Sequence, residues 1–276
     1  MSGFSIWNSN FQTDYKLTLS VMINLDELST RAPQDLDRET AEKRTKQYAK
    51  RIAELQEAMI ADGSKSLLVV LQGMDASGKD GAVKNVFKYC SHLNISVAAF
   101  KKPSKLELAH DFLWRVHQRV PAKGEIKIFN RSHYEDVLIQ RVHGWIDEER
   151  AQRRMRSINA FEELLQYDNA TTVLKFYLHL SYDQQREELM ERIDESEKNY
   201  KYNAGDWEQR QHWDRYRECY NEVLNTCNTI PWIVCPVDQR WYRNYTMSKA
   251  VVEAMEAMDL NYPGLPDDFV KPGKDD

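Results

Sequence analysis

The sequence predicts an α/β fold in which helices cover both faces of one central parallel sheet. Short, continuously apolar segments such as residues 67–71 recur along the chain and alternate with segments of helical periodicity. Strands that crossover helices bury on both faces show this pattern. A glycine-rich loop joins the first such strand to the next helix, and the 276 residues, 42% of them hydrophobic, suffice for one large core. We therefore predict a single three-layer αβα domain.

The individual elements follow from periodicity and from helix-breaking residues. Residues 38–61 are predicted to be helical because apolar residues such as Ile52, Leu55 and Met59 recur at spacings of three and four, and Gly63 follows the last of them. The other predicted helices are residues 79–90, 106–120 and 147–167, and the predicted strands are residues 67–71, 95–100, 126–130, 172–180 and 232–237.

The chain divides into one large domain with appendages. Residues 1–37 have weak periodicity and are predicted to be an arm, residues 38–270 the domain and residues 271–276 a polar tail. Residues 184–220 are rich in basic and aromatic side chains, which suits a helical lid that closes over a nucleotide. An amphipathic helical hairpin with an aromatic core explains the same composition, and a lid needs such packing too.

The loop after the first predicted strand has the spacing of a phosphate-binding loop. Its first glycine, four further residues, the second glycine and a lysine match the Walker A pattern. Such a loop points backbone N–H groups at phosphate oxygens, and the next helix N-terminus adds partial positive charge. A glycine-rich turn with a chance lysine is the alternative, but the flanking strand and helix favour phosphate binding. The predicted phosphate-binding residues of the loop are Gly73, Ala76, Ser77, Gly78, Asp80 and Gly81, with Lys79 as a catalytic cation.

Two acids distinguish this loop from the usual pattern. Asp80 stands where Ser or Thr ordinarily ligates magnesium, and Asp75 lies within the loop itself. A carboxylate beside a bound phosphate requires a cation between them. Asp75 is therefore predicted to be a metal ligand or a base for the incoming group.

A second group of polar residues follows the third predicted strand. Asn130 stands at the strand end, where an acid ordinarily supports the metal, so Asp75 and Glu135 are the candidate metal-binding carboxylates. Arg131 is predicted to stabilise charge on a transferring phosphoryl group, and a structural ion pair with a neighbouring carboxylate is the alternative. His133 is predicted to be a hydrogen-bonded packing residue and not a covalent intermediate.

The charge of the chain is unevenly distributed. The net charge of −5 on its face argues against a polyanionic partner such as a nucleic acid, yet residues 79–141 contain twelve Lys or Arg and six Asp or Glu. Lys84 and Lys88 share one predicted helix face, and Arg115 and Arg119 are predicted to form an exposed row on the next helix. Lys84, Arg115 and Arg119 are therefore added to the predicted phosphate-binding residues. Ordinary solvated charge explains any one of them equally well.

Composition also restricts the location and the metal chemistry. No apolar segment approaches the roughly 20 residues that span a bilayer, and the first ten residues lack a signal-peptide pattern. The four cysteines form no Cys-x-x-Cys pair, so we expect them to be reduced and structural, and we expect no zinc site. These features predict a soluble, cytoplasmic protein without a membrane partner.

The two motifs together resemble those of polyphosphate kinase family 2. The resemblance extends over about residues 40–266 and rests on Gly73, Asp75, Gly78 and Lys79 of the loop and on Arg131, Ser132 and Tyr134 after the central strand. It implies a three-layer αβα P-loop kinase sandwich with a central parallel sheet and a helical lid. It also implies phosphoryl transfer between inorganic polyphosphate and nucleotides, with Mg²⁺ or Mn²⁺ as the cofactor.

The resemblance implies roles for individual residues. Asp75, Lys79 and Arg131 are expected to carry the chemistry. An arginine near the lid hinge is expected to clamp phosphate, and this is Arg192, with Arg186 as the alternative.

Asn130 and Glu135 resemble the subgroup that phosphorylates both AMP and ADP, whereas other members carry Asp and Asn at these positions. An extra carboxylate at Glu135 suits a metal ion or a water molecule that bridges to the shorter phosphate of AMP. The implied partners are inorganic polyphosphate and AMP, ADP and ATP, with guanine nucleotides as further candidates.

Two rival functions and one quaternary expectation complete the prediction. An ATP-dependent nucleotide kinase predicts Ser or Thr after the loop lysine and an acid at the position of Asn130, and the chain has neither. A non-catalytic module that binds polyphosphate or nucleotide does not need Asp75, Arg131 and Glu135 around one site. We expect a homo-oligomer, a dimer or a tetramer, with the arm and the apolar helix near residues 247–258 as candidate subunit contacts.

Overall fold

A computed structural model describes residues 22–265 and residue 269. Most of the predicted arm and the predicted polar tail lie outside the described residues. Five parallel strands form one sheet in the order β2-β3-β1-β4-β5. The strands are β1 (Ser66–Gln72), β2 (Ile95–Ala99), β3 (Ile126–Asn130), β4 (Thr171–His179) and β5 (Trp232–Pro236).

Ten α-helices lie in the described part of the chain. They are α1 (Arg38–Asp62), α2 (Lys79–Val86), α3 (Lys105–Leu108), α4 (Trp114–His117), α5 (Ile139–Val142), α6 (Glu148–Asn169), α7 (Tyr182–Asp194), α8 (Ala204–Arg210), α9 (Trp213–Thr226) and α10 (Arg240–Glu256). Two 3₁₀ helices, His133–Val137 and Ser196–Lys201, follow β3 and α7.

The sheet separates two apolar cores. Alternate side chains of β1 point to opposite faces, so Leu68 and Val70 lie in one core and Leu67 and Val69 in the other. The first core is completed mainly by α6 and α9, and the second by α1, α2 and α10. This arrangement confirms the three-layer αβα sandwich with a parallel sheet.

The long first helix begins and ends as its sequence predicts. Asp37 caps its N-terminus, where the carboxylate accepts a hydrogen bond of 2.8 Å from the backbone N–H of Thr40. Gly63 ends it in the left-handed region at φ +62°, and its N–H donates to the Met59 carbonyl.

The predicted helix over residues 106–120 is wrong. The structure has two single turns, α3 and α4, because the carboxylate of Asp111 accepts hydrogen bonds from the backbone N–H groups of Leu113 (2.9 Å) and Trp114 (3.1 Å) and so starts a new turn. The helix predicted over residues 79–90 is also shorter, since α2 ends at Val86.

The C-terminal helix does not leave an apolar face free. Met247, Val251 and Met255 of α10 are fully buried in the second core, against the sheet and α1. The prediction that the apolar residues of this helix form subunit contacts is therefore wrong for this face.

Two compositional predictions can be compared with the fold. All four cysteines are buried and unpaired, as predicted. Among the described residues, no helix is both long and apolar enough to cross a membrane.

Candidate active site

The phosphate-binding loop leaves β1 at the carboxyl edge of the sheet, where two neighbouring strands, β3 and β4, also end. Gly73 has φ +153°, and a Cβ there would lie 2.8 Å from the Leu178 carbonyl oxygen of β4, so only glycine fits. Ala76 and Gly78 also have positive φ. The loop thus curls back over the strand ends before α2 begins at Lys79.

Lys79 lies inside the curl of the loop and is only 8% exposed. Its Nζ donates to the carbonyl oxygens of Gly73 (2.8 Å) and Met74 (3.1 Å) and to Ser77 Oγ (3.2 Å). Burial, and after it the charge of Arg131, lower the pKa of Lys79 to about 8. A bound anion beside the amine would reverse this shift.

Arg131 and Asp75 join the two predicted motifs. Their side chains form an ion pair through Nη2 and Oδ1, so the predicted alternative of a local ion pair between Arg131 and a neighbouring carboxylate of its own motif is wrong. Arg131 adopts φ +62°, a region that costs a non-glycine residue free energy. Its backbone N–H donates to the Leu71 carbonyl at 3.1 Å, which fixes this turn against β1. Arg131 therefore directs its guanidinium toward the loop.

Glu135 is held at the same edge by a side chain that the sequence analysis did not single out. Gln72, the last residue of β1, donates from Nε2 to Glu135 Oε1 at 3.1 Å and accepts at Oε1 from Ser132 Oγ at 3.2 Å. Burial raises the pKa of Glu135, and the nearby Arg131 opposes that shift. A polar residue at the end of an otherwise apolar strand was the available signal for Gln72.

The two unusual residues of the motifs contact each other. Asn130 Nδ2 donates to Asp80 Oδ1 at 2.5 Å, so the strand-end amide and the residue after the loop lysine form a polar bridge between β3 and α2. Asp80 is exposed.

The carboxylates fit a metal ion that arrives with substrate better than one held by the protein alone. Among the described residues, no three or more His, Cys, Asp or Glu side chains are grouped so as to hold a metal ion. Asp75 nevertheless forms an ion pair with Arg131, and the charge of Arg131 also opposes the rise in the pKa of Glu135, so both carboxylates lie near the same guanidinium. Magnesium typically uses one or two carboxylates and completes its shell with water and substrate phosphates.

The predicted phosphate-binding residues outside the loop have different surroundings. Lys84 and Arg119 are exposed. The predicted exposed position of Arg115 is wrong: the side chain is 7% exposed, and its guanidinium donates to Asp136 Oδ2 (3.0 Å) and to the Lys101 carbonyl (2.9 Å). The cause is the broken helix, which turns Arg115 inward. Arg115 is therefore a buried ion-pair residue.

The segment predicted to be a lid consists of α7, the second 3₁₀ helix, α8 and most of α9. Arg192 forms an ion pair with Asp206 of α8 and donates to the Lys201 carbonyl at 3.2 Å, so it ties this segment together. Arg186 is exposed.

Two further residues connect this segment to the loop. Gln185 donates from Nε2 to the Asp75 carbonyl at 3.0 Å, and its Oε1 accepts from Arg210 Nη1 at 2.8 Å. The Arg210 guanidinium also lies 3.4 Å from the centre of the Tyr182 ring. Arg210 was not singled out from the sequence, because its burial depends on this tertiary contact.

A buried ionic cluster supports the second motif from below. Lys175 of β4 donates to Glu162 Oε2 (2.7 Å) and to the Tyr134 hydroxyl (2.9 Å). Glu162 Oε1 lies 3.1 Å from His133 Nε2 and accepts from the Tyr134 hydroxyl at 2.7 Å. His133 is fully buried. This confirms the prediction that it is a hydrogen-bonded packing residue.

The geometry of the loop and of the second motif agrees with the comparisons with known proteins. The family model described as Polyphosphate kinase 2 (PPK2) matches residues 35–263. The chain belongs to the PPK2 family. A relative from Meiothermus ruber, an AMP/ADP-polyphosphate phosphotransferase, is 48% identical over 216 residues, which cover 78% of this chain and 80% of the relative.

A second relative and a solved structure are also similar to this chain over most of its length. An ADP-polyphosphate phosphotransferase from Rhodopseudomonas palustris is 39% identical over 227 residues, which cover 77% of this chain and 78% of the relative. The crystal structure of Polyphosphate Kinase 2 from Arthrobacter aurescens TC1 superposes with a TM-score of 0.88 at 34% identity and covers 93% of each chain. Family membership therefore extends to the fold as well as the motifs.

Proposed function

We propose that this chain transfers phosphoryl groups between inorganic polyphosphate and adenine nucleotides, and that AMP and ADP are both acceptors. The observation that carries the proposal is the Asp75–Arg131 ion pair beside Lys79, at the mouth of a phosphate-binding loop in a PPK2 chain. The relatives from Meiothermus ruber and Rhodopseudomonas palustris are named for polyphosphate phosphotransfer.

Each residue at the strand ends has a role in this proposal. The loop N–H groups and Lys79 hold the phosphates, and Lys79 with Arg131 stabilises the charge that spreads over the transferring group. Asp75 orients the attacking phosphate oxygen, and its ion pair keeps Arg131 at the reaction centre before substrate binds. Transfer is direct and in line, since His133 is buried and hydrogen-bonded to Glu162.

Asp75 and Glu135 are the side chains that would hold the divalent cation, Mg²⁺ or Mn²⁺. When bound with the substrates, the cation neutralises phosphate charge. The remaining predicted phosphate contacts, from Lys84, Arg119 and Arg192, belong to the same proposal. Arg192 would reach a phosphate only by exchanging its present partner, Asp206.

The acceptance of both AMP and ADP rests on Glu135 and on the Meiothermus ruber relative, which is named for both nucleotides. Gln72 fixes the Glu135 carboxylate at the edge of the site. There it can hold a water molecule or cation that fills the space left by the shorter AMP phosphate. Guanine nucleotides, a homo-oligomeric assembly and a cytoplasmic location, which fits the four unpaired cysteines, complete the proposal.

The proposed function is tested by the choice of phosphoryl donor. Purified protein is incubated with AMP and Mg²⁺ plus either long-chain polyphosphate or ATP, and ADP and ATP are followed by anion-exchange chromatography. We expect ADP and then ATP with polyphosphate, and product formation that is slower by about a hundredfold or more with the matched Arg131→Gln variant. ADP formed from AMP only when ATP is the donor would identify an ordinary nucleotide kinase, and binding without products would identify a non-catalytic module.

A further inference from the structure

The buried cations of this molecule fall into two groups. Three of them have a carboxylate partner: Arg115 pairs with Asp136, Arg141 with Glu148 and Glu222, and Lys175 with Glu162. Three form no ion pair with a carboxylate among the described residues, namely Lys79, Arg210 and Arg243, although the charges of Asp75, Glu135 and Asp80 act on Lys79. An uncompensated buried charge is costly, so a position that keeps one requires an explanation.

The three unpaired cations lie around the same loop. Lys79 donates to loop carbonyls, and Arg210 reaches the Asp75 carbonyl through Gln185. Arg243 of α10 contacts the loop at its second glycine: its Nη1 donates to the Gly78 carbonyl at 3.0 Å. Lys79 belongs to the motif, and Arg210 to the lid segment. Arg243 is far from both in sequence.

The contacts of Arg243 show that its guanidinium is built into the loop. The residue is 3% exposed, and Asn244 Oδ1 accepts from its Nε (3.1 Å) and Nη2 (2.9 Å), which fixes the plane of the guanidinium. A Cβ on Gly78 would lie 2.1 Å from Nη1, and one on Gly81 would lie 3.2 Å from Nη2. The second glycine of the motif therefore provides room for Arg243 as well as a positive φ.

The hydrogen bond to the Gly78 carbonyl oxygen gives Arg243 a way to affect a bound phosphate that it does not itself contact. The Gly78 carbonyl belongs to the same peptide group as the Lys79 N–H, which points the other way. A cation on the carbonyl polarises that peptide group and strengthens its N–H as a donor. The same carbonyl accepts from the Ala82 N–H at 3.0 Å, so the peptide also starts α2. Two donors on the Gly78 carbonyl oxygen, Arg243 and the Ala82 N–H, thus fix the orientation of the Gly78–Lys79 peptide.

The geometry points to Arg243 as a positioning residue for the phosphate-binding loop: it orients and polarises the Gly78–Lys79 peptide, and the bound polyphosphate supplies the negative charge that Arg243 lacks. This inference rests on the proposed function for the identity of the ligand. It concerns binding at the loop and does not require that transfer takes place.

The test uses inorganic tripolyphosphate as the probe, with its dissociation constant measured by titration calorimetry at fixed Mg²⁺ concentration. Arg243→Gln retains a donor for the Gly78 carbonyl but removes the charge, and we expect binding to weaken about tenfold, the effect of 1.4 kcal/mol. Arg243→Lys keeps the charge and should recover most of that loss. The control is Arg51→Gln, which removes only exposed ion pairs with Glu54 and Glu256 and should bind like the parent.

The kinetic signature separates positioning from a purely structural role. In the polyphosphate assay, Arg243→Gln should raise KM for polyphosphate about tenfold and leave KM for the nucleotide unchanged. If Arg243→Gln is folded but binds tripolyphosphate like the parent, or if the parent itself does not bind it, the inference is overturned.

A second variant covers the case in which Arg243→Gln does not fold. Asn244→Ala keeps the charge but frees the guanidinium, and we expect tripolyphosphate binding to weaken about threefold; unchanged binding would contradict the inference. Because calorimetry reports binding alone, weakened binding in a chain that makes no nucleotide from polyphosphate would support Arg243 and refute the proposed function.

Discussion

Lys79 at the start of α2 and Lys175 of β4 are both buried lysines, yet their surroundings differ. Lys175 donates to the Glu162 carboxylate at 2.7 Å, to a tyrosine hydroxyl and to a backbone carbonyl. Lys79 donates only to two carbonyls and a serine hydroxyl. Lys175 therefore contacts a carboxylate directly, whereas the carboxylates near Lys79 form no ion pair with its amine.

The difference distinguishes buried charges that stabilise the fold from buried charges that are placed to bind a ligand. The paired charges of the Lys175 cluster fix Tyr134 and His133 beneath the second motif. The unpaired charges surround the loop, where a polyanion would balance them. Pairing within the chain is therefore a better guide to function here than burial or residue type.

The largest expected effect comes from breaking the paired region. Lys175→Met leaves the Glu162 carboxylate buried without its cation, and we expect the free energy of unfolding to fall by about 3–5 kcal/mol in denaturant titrations. The double variant Lys175→Met/Glu162→Gln removes both charges and should regain a large part of that loss. A double variant less stable than the single one would show that the pair is not the cause.

The next effect is on catalysis with the fold preserved. Asp75→Asn and Arg131→Gln each remove one member of the ion pair at the loop, and we expect turnover with polyphosphate to fall about a hundredfold or more. Both side chains are partly exposed, so the unfolding midpoint should change little. Near-normal turnover of Asp75→Asn would contradict the assignment of Asp75.

The pH dependence of polyanion binding tests the protonation of the Lys79 amine. Its pKa is lowered to about 8, so the ligand-free amine loses its proton as the pH rises through that value. A polyanion binds the protonated form, and its dissociation constant should rise up to about tenfold per pH unit above pH 8.

The lowered pKa of Lys79 also makes the stability of the fold depend on pH. As the pH rises, this contribution to stability increases while ligand binding weakens. Between about pH 8 and the ordinary value of 10.5, the unfolded chain binds more protons at this site than the folded chain. The contribution of Lys79 to the free energy of unfolding therefore rises with pH in that window. Calorimetry of tripolyphosphate binding from pH 7 to 10 tests the predicted rise of the dissociation constant above pH 8. Lys79→Arg, which stays protonated, is the control that should lack the rise.

The smallest expected effect concerns the choice of acceptor. Glu135→Asn removes the carboxylate that Gln72 holds in place, and we expect AMP phosphorylation to slow about fivefold relative to ADP phosphorylation, as measured by the ratio of kcat/KM values. If AMP is still phosphorylated as fast as ADP, Glu135 does not select the acceptor.

The sequence predicted the parts of this molecule that local chemistry determines. The strand 126–130 and the helix α1 follow from apolar patterning and from Gly63, and the loop follows from its glycines and the buried strand before it. The fold class follows in turn, because parallel buried strands admit few other arrangements.

The errors came from contacts between distant residues. Arg115 was predicted to be exposed because residues 106–120 have a helical pattern, but Asp111 restarts the helix and Asp136 draws Arg115 inward. Arg243 carried no signal, since one arginine among the polar and aromatic residues that begin α10 is ordinarily expected to be solvated. Lys175 did carry one: it is a lysine within the apolar strand β4, which requires a buried partner.

The most direct test of the central claim measures unfolding of Lys79→Met and Lys175→Met with and without tripolyphosphate. Lys79→Met should be at least as stable as the parent without ligand and should gain much less stability from the ligand than the parent does, whereas Lys175→Met should be much less stable without ligand and gain the same increment as the parent. The account would be contradicted if Lys79→Met lost as much stability as Lys175→Met, or if tripolyphosphate still stabilised it fully.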